Sequence, residues 1–277
     1  MNYGTRKIPI ITNILGSIDR KIEINKKKIE KLEAIARDIY NYWFVQYEFP
    51  DENGKPYKTN GGQLVLKTEL NREIPIGWQA TTIGSCIEKI STGLNPRNHF
   101  VLNQNKDNRY ITVKNLTEDG TIDFSDCDFV SNEAMALIHR RSDVQKGDIL
   151  FASIAPLGRA YFIAKTPQNW DINESVFSIR ANTNIMSPYF LYLYLRNEST
   201  KKKMEQSSFG SIFKGIRISV INDIEIALPP LCILKKFEEI IEPIIKQQHL
   251  ADENIRTLKE LKNQILPLLM NGQAVVR

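Results

Sequence analysis

Ile18, Ile22, Asn25, Ile29, Leu32, Ala36, Ile39 and Trp43 are spaced alternately four and three residues apart. That unbroken seven-residue repeat predicts one long helix, over about 17–46, packed along its length against another helix. Lys26, Lys27, Lys28, Glu30, Lys31 and Glu33 lie off the stripe, which leaves the back of the helix solvated. Ser17 suits an N-cap, and Asp19 falls in the first turn, where the helix dipole favours an acid. An amphipathic helix lying on its own domain's core would bury the same stripe, so the partner is not fixed by spacing alone.

A second helix is predicted over about 231–270. Phe237, Ile241, Ile244, Gln248, Ala251, Ile255 and Leu258 repeat the alternation, and Leu261, Ile265 and Leu268 continue it after a phase slip. Pro243 removes a backbone donor and predicts a kink or split there, with a straight part beyond it. Gly272 after Asn271 reads as the stop. Each straight part holds about 26 residues, roughly 40 Å of helix. Two stripes of similar length predict pairing, within one chain or between chains. The first helix would use Ile22, Ile29, Leu32, Ile39 and Trp43, the second Ile244, Ile255, Leu258 and Ile265. Asn25 on the stripe either fixes register or lies at a wet helix end.

Between the helices the pattern changes. A polar connector (Asp51, Glu52, Asn53, Gly54, Lys55, Pro56) leads to Gly61 and Gly62, and short β-type runs follow at 110–113, 121–124, 149–152, 161–164, 176–179 and 224–227. Asp119-Gly120 reads as a hairpin turn. Ser187 with Pro188 opens a helix expected to reach Gln206, burying Phe190, Leu191, Tyr194 and Leu195. The expected fold is α+β: one mixed α/β domain at 51–229, flanked by long coiled-coil helices within 1–50 and 230–277.

Composition excludes several classes. Hydrophobic residues make up 42% of the 277 and charged residues 25%, as in ordinary globular proteins. No apolar run approaches the length of a membrane span, and the cluster Ile8-Pro9-Ile10-Ile11 is too short for a signal peptide. Cys86, Cys127 and Cys232 are an odd set without close pairing, which argues for a reducing cytoplasm and against a disulfide or zinc framework. Net charge is +5, from 37 basic and 32 acidic residues, but 51–232 is nearly neutral, with 21 against 20. That balance is compatible with nucleic acid without demanding it.

No catalytic set stands out. His99, His139 and His249 are scattered, and no phosphate loop ending in Gly-Lys-Ser/Thr or dinucleotide glycine fingerprint occurs. Pro229-Pro230 lacks the flanking residues of a base-methylating motif, and Phe49-Pro50-Asp51 has no Glu-x-Lys strand after it. An active site assembled from distant residues remains open. Several loops combine hydrogen-bonding groups with basic ones: Asn95 and Arg97; Lys114 and Asn115; Arg159 after Pro156-Leu157-Gly158; and Ser211, Lys214 and Arg217. Arg and Asn read base edges, while Lys and Ser hold phosphates. Each loop alone is equally an ordinary solvated turn. Over 196–217, Arg196, Lys201, Lys202, Lys203, Lys214 and Arg217 outnumber Glu198 and Glu205. The Lys201–Lys203 run also reads as the polar end of a helix. Glu118, Asp119, Asp123, Asp126 and Asp128 form an acidic group expected to face away from DNA. Trp43, Trp78 and Trp170 are assigned to packing.

The order of several motifs resembles type I restriction–modification specificity subunits. Leu15-Gly16-Ser17-Ile18-Asp19-Arg20-Lys21-Ile22, then Asn25-Lys26-Lys27, Leu32-Glu33 and Tyr42-Trp43-Phe44-Val45-Gln46-Tyr47-Glu48-Phe49-Pro50 are similar to their central conserved region. Ile74-Pro75-Ile76-Gly77-Trp78 resembles the start of the target-recognition domain. Lys146-Gly147-Asp148-Ile149-Leu150-Phe151, followed by Gly158, resembles a strand and loop inside it. Leu228-Pro229-Pro230-Leu231 resembles its exit. Two departures stand out. Cys232-Ile233 follows where the family commonly has Glu-Gln, and one recognition domain is present where a full subunit has two, as in a half-subunit.

The resemblance implies a non-catalytic reader of half a bipartite site in double-stranded DNA. Its helices would dock methyltransferase subunits, with a restriction subunit joining the complex. No cofactor is expected on this chain; the partners would use S-adenosylmethionine, and ATP with Mg. A second copy or a complementary half-subunit would complete the site, with the helices holding two recognition domains roughly 40 Å apart. Two other classes stay in view: a coiled-coil interaction or regulatory remnant that binds no DNA, and a nuclease with a dispersed site.

Overall fold

The computed structural model describes residues 7–97, 99–207 and 215–270. The chain opens with α1 (Lys7–Tyr40) and a π-helical turn (Asn41–Val45). Four short strands follow: β1 (Leu64–Lys67), β2 (Arg72–Pro75), β3 (Gln79–Thr82) and β4 (Ile87–Thr92). Next come β5 (Asn108–Ile111), β6 (Asp128–Val130) and α2 (Asn132–Ser142). After them run β7 (Ile149–Ala152), β8 (Ala160–Phe162), β9 (Trp170–Ile172) and β10 (Val176–Ala181). The chain closes with α3 (Pro188–Arg196), α4 (Glu198–Ser207), α5 (Ile218–Asn222), β11 (Glu225–Leu228) and α6 (Leu231–Met270). Among the described residues no helix is long and apolar enough to cross a membrane.

Two compact units divide the chain: Met1–Ile35 with Pro243–Arg277, and Ala36–Glu242. In the first, α1 and α6 run antiparallel and pair within the chain. Ile29 is buried against Ala251 and Ile255, with Ile22 beside them. Lys28 Nζ donates to Gln247 Oε1 at 2.8 Å, and Lys262 pairs with Asp19 nearer the end. Ile18, Ile29 and Ala36 are buried, with Ile22, Asn25 and Leu32 half-buried between them, so the expected stripe holds through Ala36. Asn25 turns its amide back to its own helix, donating to Lys21 O at 2.8 Å. On α6 the helix continues past Pro243 and does not split there. The buried residue next to it is Ile245, with Ile244 half-exposed; Leu258 and Ile265 are half-buried.

Beyond Ala36 the buried side of α1 moves on by one residue, from Ile39 to Tyr40. The π-helical turn, closed by Gln46 N donating to Asn41 O at 2.9 Å, widens the helix by one residue and buries both Trp43 and Phe44. Ile39 and Trp43, expected in the helix pair, therefore belong to the globular unit. Phe44 packs edge-on against Phe190 at 4.7 Å and Phe237 at 4.6 Å. Trp78 meets Phe44, Tyr47 and Phe49. The aromatic motifs at 42–50 and 74–78 are thus one aromatic core, which also takes in the start of α6 through Phe237.

The globular unit is built on an antiparallel four-stranded sheet in the order β4-β10-β7-β8. Residues 149–152 form an unbroken apolar run and are buried throughout, as a strand covered on both faces requires. A mixed sheet, β6-β5-β9, pairs β5 with β9 in parallel. Ribbons β1-β2 and β3-β11 complete the unit. Buried Leu150, Ala152, Ile111, Ile172 and Val176 share one core, against which Trp170 packs.

Two local expectations change. Residues 121–124 form no strand; a single bridge joins Leu116 to Ile122, and Thr117, Asp119 and Thr121 hydrogen-bond to one another around the turn. The helix expected over 188–206 is two helices, because Asn197 adopts extended backbone angles. Its Oδ1 accepts from Ser199 N and Oγ, at 3.0 and 2.7 Å, so a side-chain cap replaces the helical ladder there. Lys201–Lys203 fall inside α4. Ser187 precedes α3 without capping it; its hydroxyl donates to Glu238 at 2.7 Å.

Candidate nucleic-acid interface

Strand register gives the four-stranded sheet two unlike ends. Phe177 pairs with Thr92, Val176 with Ala152, and Phe151 with Ala160. The loops leaving β4 and β7 and entering β8 and β10 therefore leave from the same end, called the loop rim below. Loops 93–97, 153–159 and 173–175 meet there. Residues 215–217 join them: Ile154 bridges to Gly215, and Ile216 N donates to Ser153 O at 2.7 Å. Backbone bonds tie the loops together. Gly93 N donates to Asn173 O at 3.1 Å, Asn173 N to Ile111 O at 2.8 Å, and Ser153 N to Ser175 O at 3.0 Å. Position 93 must be glycine, since a Cβ there would lie 1.6 Å from Ile172 O.

The opposite end is an ion network. Arg180 Nε and Nη2 hold the two oxygens of buried Asp148, and Gln145 N and Ser178 Oγ donate to the same carboxylate. Asp143 takes Lys89 Nζ at 2.9 Å and Arg180 Nη1 at 3.3 Å. Hydrogen bonds from Lys89 and Gln145, aided by both positive charges, hold its carboxyl at about 2. This explains the run at 146–151 in structural terms. Gly147, at φ +92°, makes the turn, Asp148 anchors it, and Ile149 to Phe151 form the central strand.

The sequence-predicted residues divide by location. Arg97, Arg159 and Arg217 all belong to rim loops; Arg97 and Arg217 are exposed. Arg159 Nη2 lies 3.5 Å from Glu118 Oε1. Asn95 is also at the rim, but its amide is engaged: Oδ1 accepts from Arg97 N at 3.1 Å, and Nδ2 donates to Glu174 at 2.7 Å. Asn115 is 2% exposed, and all its hydrogen-bonding capacity is internal. Oδ1 accepts from Thr112 N and Oγ1, and Nδ2 donates to the carbonyls of Asp123 and Asp126. Lys114 sits among the acids, 3.5 Å from Asp126 and 3.8 Å from Asp128. Ser211 and Lys214 lie outside the described residues.

The expected separation of charge is therefore not what folds. Glu118 of the acidic group meets Arg159, and its carbonyl accepts from Arg196 Nη2 at 2.7 Å; Lys114 points the other way, into the acids. Sequence reasoning also missed Glu174, Ser153 and Ser175. Only the strand register brings them to the rim, and no local pattern marks them.

Other polar groups are structural. His139 Nδ1 lies 3.0 Å from Asp171 Oδ2 and ties α2 to β9. Burial pushes the Asp171 carboxyl up, against the nearby Ser142 hydroxyl and the hydrogen bonds from Ile172 N and His139 that pull it down. His99 is exposed and His249 half-buried. Burial raises the Cys127 thiol to about 11, where it is a poor nucleophile at neutral pH. Among the described residues no group of three or more His, Cys, Asp or Glu could hold a metal ion.

Comparison with known proteins places this architecture. The family model described as the type I restriction modification DNA specificity domain matches residues 75–263. The specificity subunit of type I restriction enzyme MjaIX of Methanocaldococcus jannaschii is 26% identical over 263 residues, covering 95% of this chain and 57% of that protein. The HindI specificity subunit of Haemophilus influenzae is 30% identical over 121 residues, 43% of this chain and 26% of that protein. The type I restriction-modification S subunit from M. genitalium shares the fold, with a TM-score of 0.57 at 16% identity over 96% of this chain and 61% of that one. The chain spans little more than half the length of the longest-matching of these relatives.

Proposed function

Because the chain belongs to the type I restriction modification DNA specificity family, we propose that it reads DNA sequence for a type I restriction–modification complex. The observation that carries this reading is the loop rim, where the loops that carry Arg97, Arg159 and Arg217, distant in sequence, meet at one end of the sheet. Arginines on short loops braced by a rigid sheet suit recognition of base edges and phosphates. The globular unit reads one half of a bipartite site. The other half needs a second recognition unit, from a second copy or a complementary half-subunit.

In this reading the paired helices are the spacer and the docking segment for methyltransferase subunits, and a restriction subunit completes the assembly. Catalysis and its cofactors, S-adenosylmethionine and ATP with Mg, belong to those partners. Ser211 and Lys214 remain proposed phosphate contacts, on their residue types and their place beside Arg217.

Co-expression with candidate methyltransferase subunits, followed by mapping of methylated adenines, tests the reading. The expected result is one bipartite motif, with inverted-repeat halves if two copies pair, because two-fold protein symmetry is mirrored in the DNA. A complex that assembles and methylates without sequence preference refutes it. The pure chain incubated with DNA and a divalent metal should neither cut nor methylate; cleavage would favour a nuclease.

A further inference from the structure

We infer that Glu174 is a specificity-determining residue of the loop rim, accepting a hydrogen bond from the N4 amino group of a cytosine. The inference rests on the DNA-reading function proposed above.

Glu174 lies in the three-residue link between β9 and β10, flanked by the loops that carry Asn95, Arg97 and Arg159. Its neighbours leave it little freedom. Asn173 is fixed on both sides by backbone bonds to Ile111 and Gly93, and its Oδ1 accepts from Ser175 N at 3.0 Å. Ser175 O accepts from both N and Oγ of Ser153, at 3.0 and 2.8 Å. The carboxylate is itself aimed: Asn95 Nδ2 donates to Oε1 at 2.7 Å. Tyr110 has one hydroxyl proton and donates it closely to Leu94 O, leaving only a 3.5 Å approach to Oε2. Oε2 therefore keeps acceptor capacity on a half-buried, pre-organised side chain.

A carboxylate on a DNA-facing rim is repelled by phosphate, so its favourable contacts are with donors. In the major groove the base donors are the amino groups of cytosine and adenine, and a carboxylate pairs with the former. Asn95, with its own amide spent on Glu174 and Arg97 N, acts as the bracket that sets the carboxylate rather than as a reader.

The test is the methylation motif of the complex assembled with wild-type chain, with Glu174→Gln and with Glu174→Ala. Gln keeps an oxygen for Asn95, so the bracket survives while the acceptor-only carboxylate is lost. The expected result is an invariant G·C pair in the wild-type half-site whose requirement falls on the order of tenfold in both variants, with the other positions unchanged. An unaltered motif in Glu174→Gln overturns the inference, since a pure bracket would behave that way. So does an equal loss at every position, which reports a deformed loop. A wild-type complex with no motif sinks the DNA-reading function and Glu174 with it. A wild-type motif that Glu174→Gln leaves intact sinks Glu174 alone.

Discussion

Arg180 grips both oxygens of the Asp148 carboxylate, Nε to Oδ1 at 2.7 Å and Nη2 to Oδ2 at 3.0 Å. Asp148 is 1% exposed. The pair joins the turn before β7 to β10 and locks the end of the sheet away from the loop rim. Removing Asp148 leaves Gln145 N and Ser178 Oγ without their acceptor and Arg180 with Asp143 alone, at a cost of about 1–3 kcal/mol. Asp148→Ala should therefore lower unfolding stability by that amount in denaturant titrations. A loss below about 1 kcal/mol would show that the pair is not what holds this end.

Asp143, beside the same arginine, gives a pH signature. Its folded carboxyl lies at about 2, below the ordinary value of 3.8. A depressed acid stabilises the fold above its unfolded pKa and loses that contribution as pH falls through the folded one. Its contribution should be complete above about pH 5 and almost gone by about pH 2. The side chain is 37% exposed, so the gain at neutral pH is about 1 kcal/mol or less. Stability curves of the wild type and Asp143→Asn, measured from pH 6 to 2, should differ at the upper end and converge at the lower. A difference that persists at pH 2 would mean the asparagine acts through shape rather than charge.

Gly93→Ala should disrupt the rim. The new Cβ would meet the Ile172 carbonyl oxygen at 1.6 Å, and backbone on both sides leaves no flexible side chain to yield. Strain of this kind is among the few causes of large single-site losses. The variant should lose sequence-selective DNA retention, with amide exchange faster at 92–97 and 173–175 than in the central strands. Unchanged selectivity would show that these loops do not form the reading surface.

How much of this was legible in the sequence depends on the range of the forces involved. The stripe Ile18–Ile22–Asn25–Ile29–Leu32–Ala36 was readable because helix periodicity is local. It failed at Ile39 and Trp43, where a π-helical turn, set by the aromatic core, changes the residue count per turn. Strands β7 and β10 were visible as apolar runs, whereas β2 and β3 are short and largely polar, and β1 and β4 mix apolar with charged or polar residues without a clean alternation. Arg97, Arg159 and Arg217 were readable by residue type, but Asn115 shows the limit. An asparagine beside a lysine looks like a base reader until Thr112, Asp123 and Asp126 take up its whole amide. Glu174 had no signal at all, because antiparallel pairing across distant segments makes its site.

The helical unit has its own test in Ile29, buried against Ala251 and Ile255. Ile29→Ala removes methylenes from the centre of the pair and should cost about 2–5 kcal/mol. Because this unit is compact by itself, amide exchange should rise first along α1 before Ala36 and along α6 after Pro243. Uniform loss of protection across the chain would instead make the two units one cooperative block.

Glu118 sits 3.5 Å from Arg159 and is 81% exposed. An ion pair with so solvated a partner is worth about 0–1 kcal/mol, so Arg159 can exchange it for DNA at little cost. Arg159→Ala should lose about 1–3 kcal/mol on the cognate duplex and relax one base position. Glu118→Gln should do the reverse: removing a negative charge beside the rim strengthens binding to all sequences alike. That gain should fade as salt rises to about 0.1 M, where charges beyond roughly 10 Å are screened. Lys114, held by Asp126 and Asp128, should tolerate Lys114→Ala with no change in affinity. Binding isotherms of the four proteins between low and moderate salt decide the matter. If Arg159→Ala binds like the wild type while Lys114→Ala weakens, the DNA-facing side of the domain is the one that carries the acidic group.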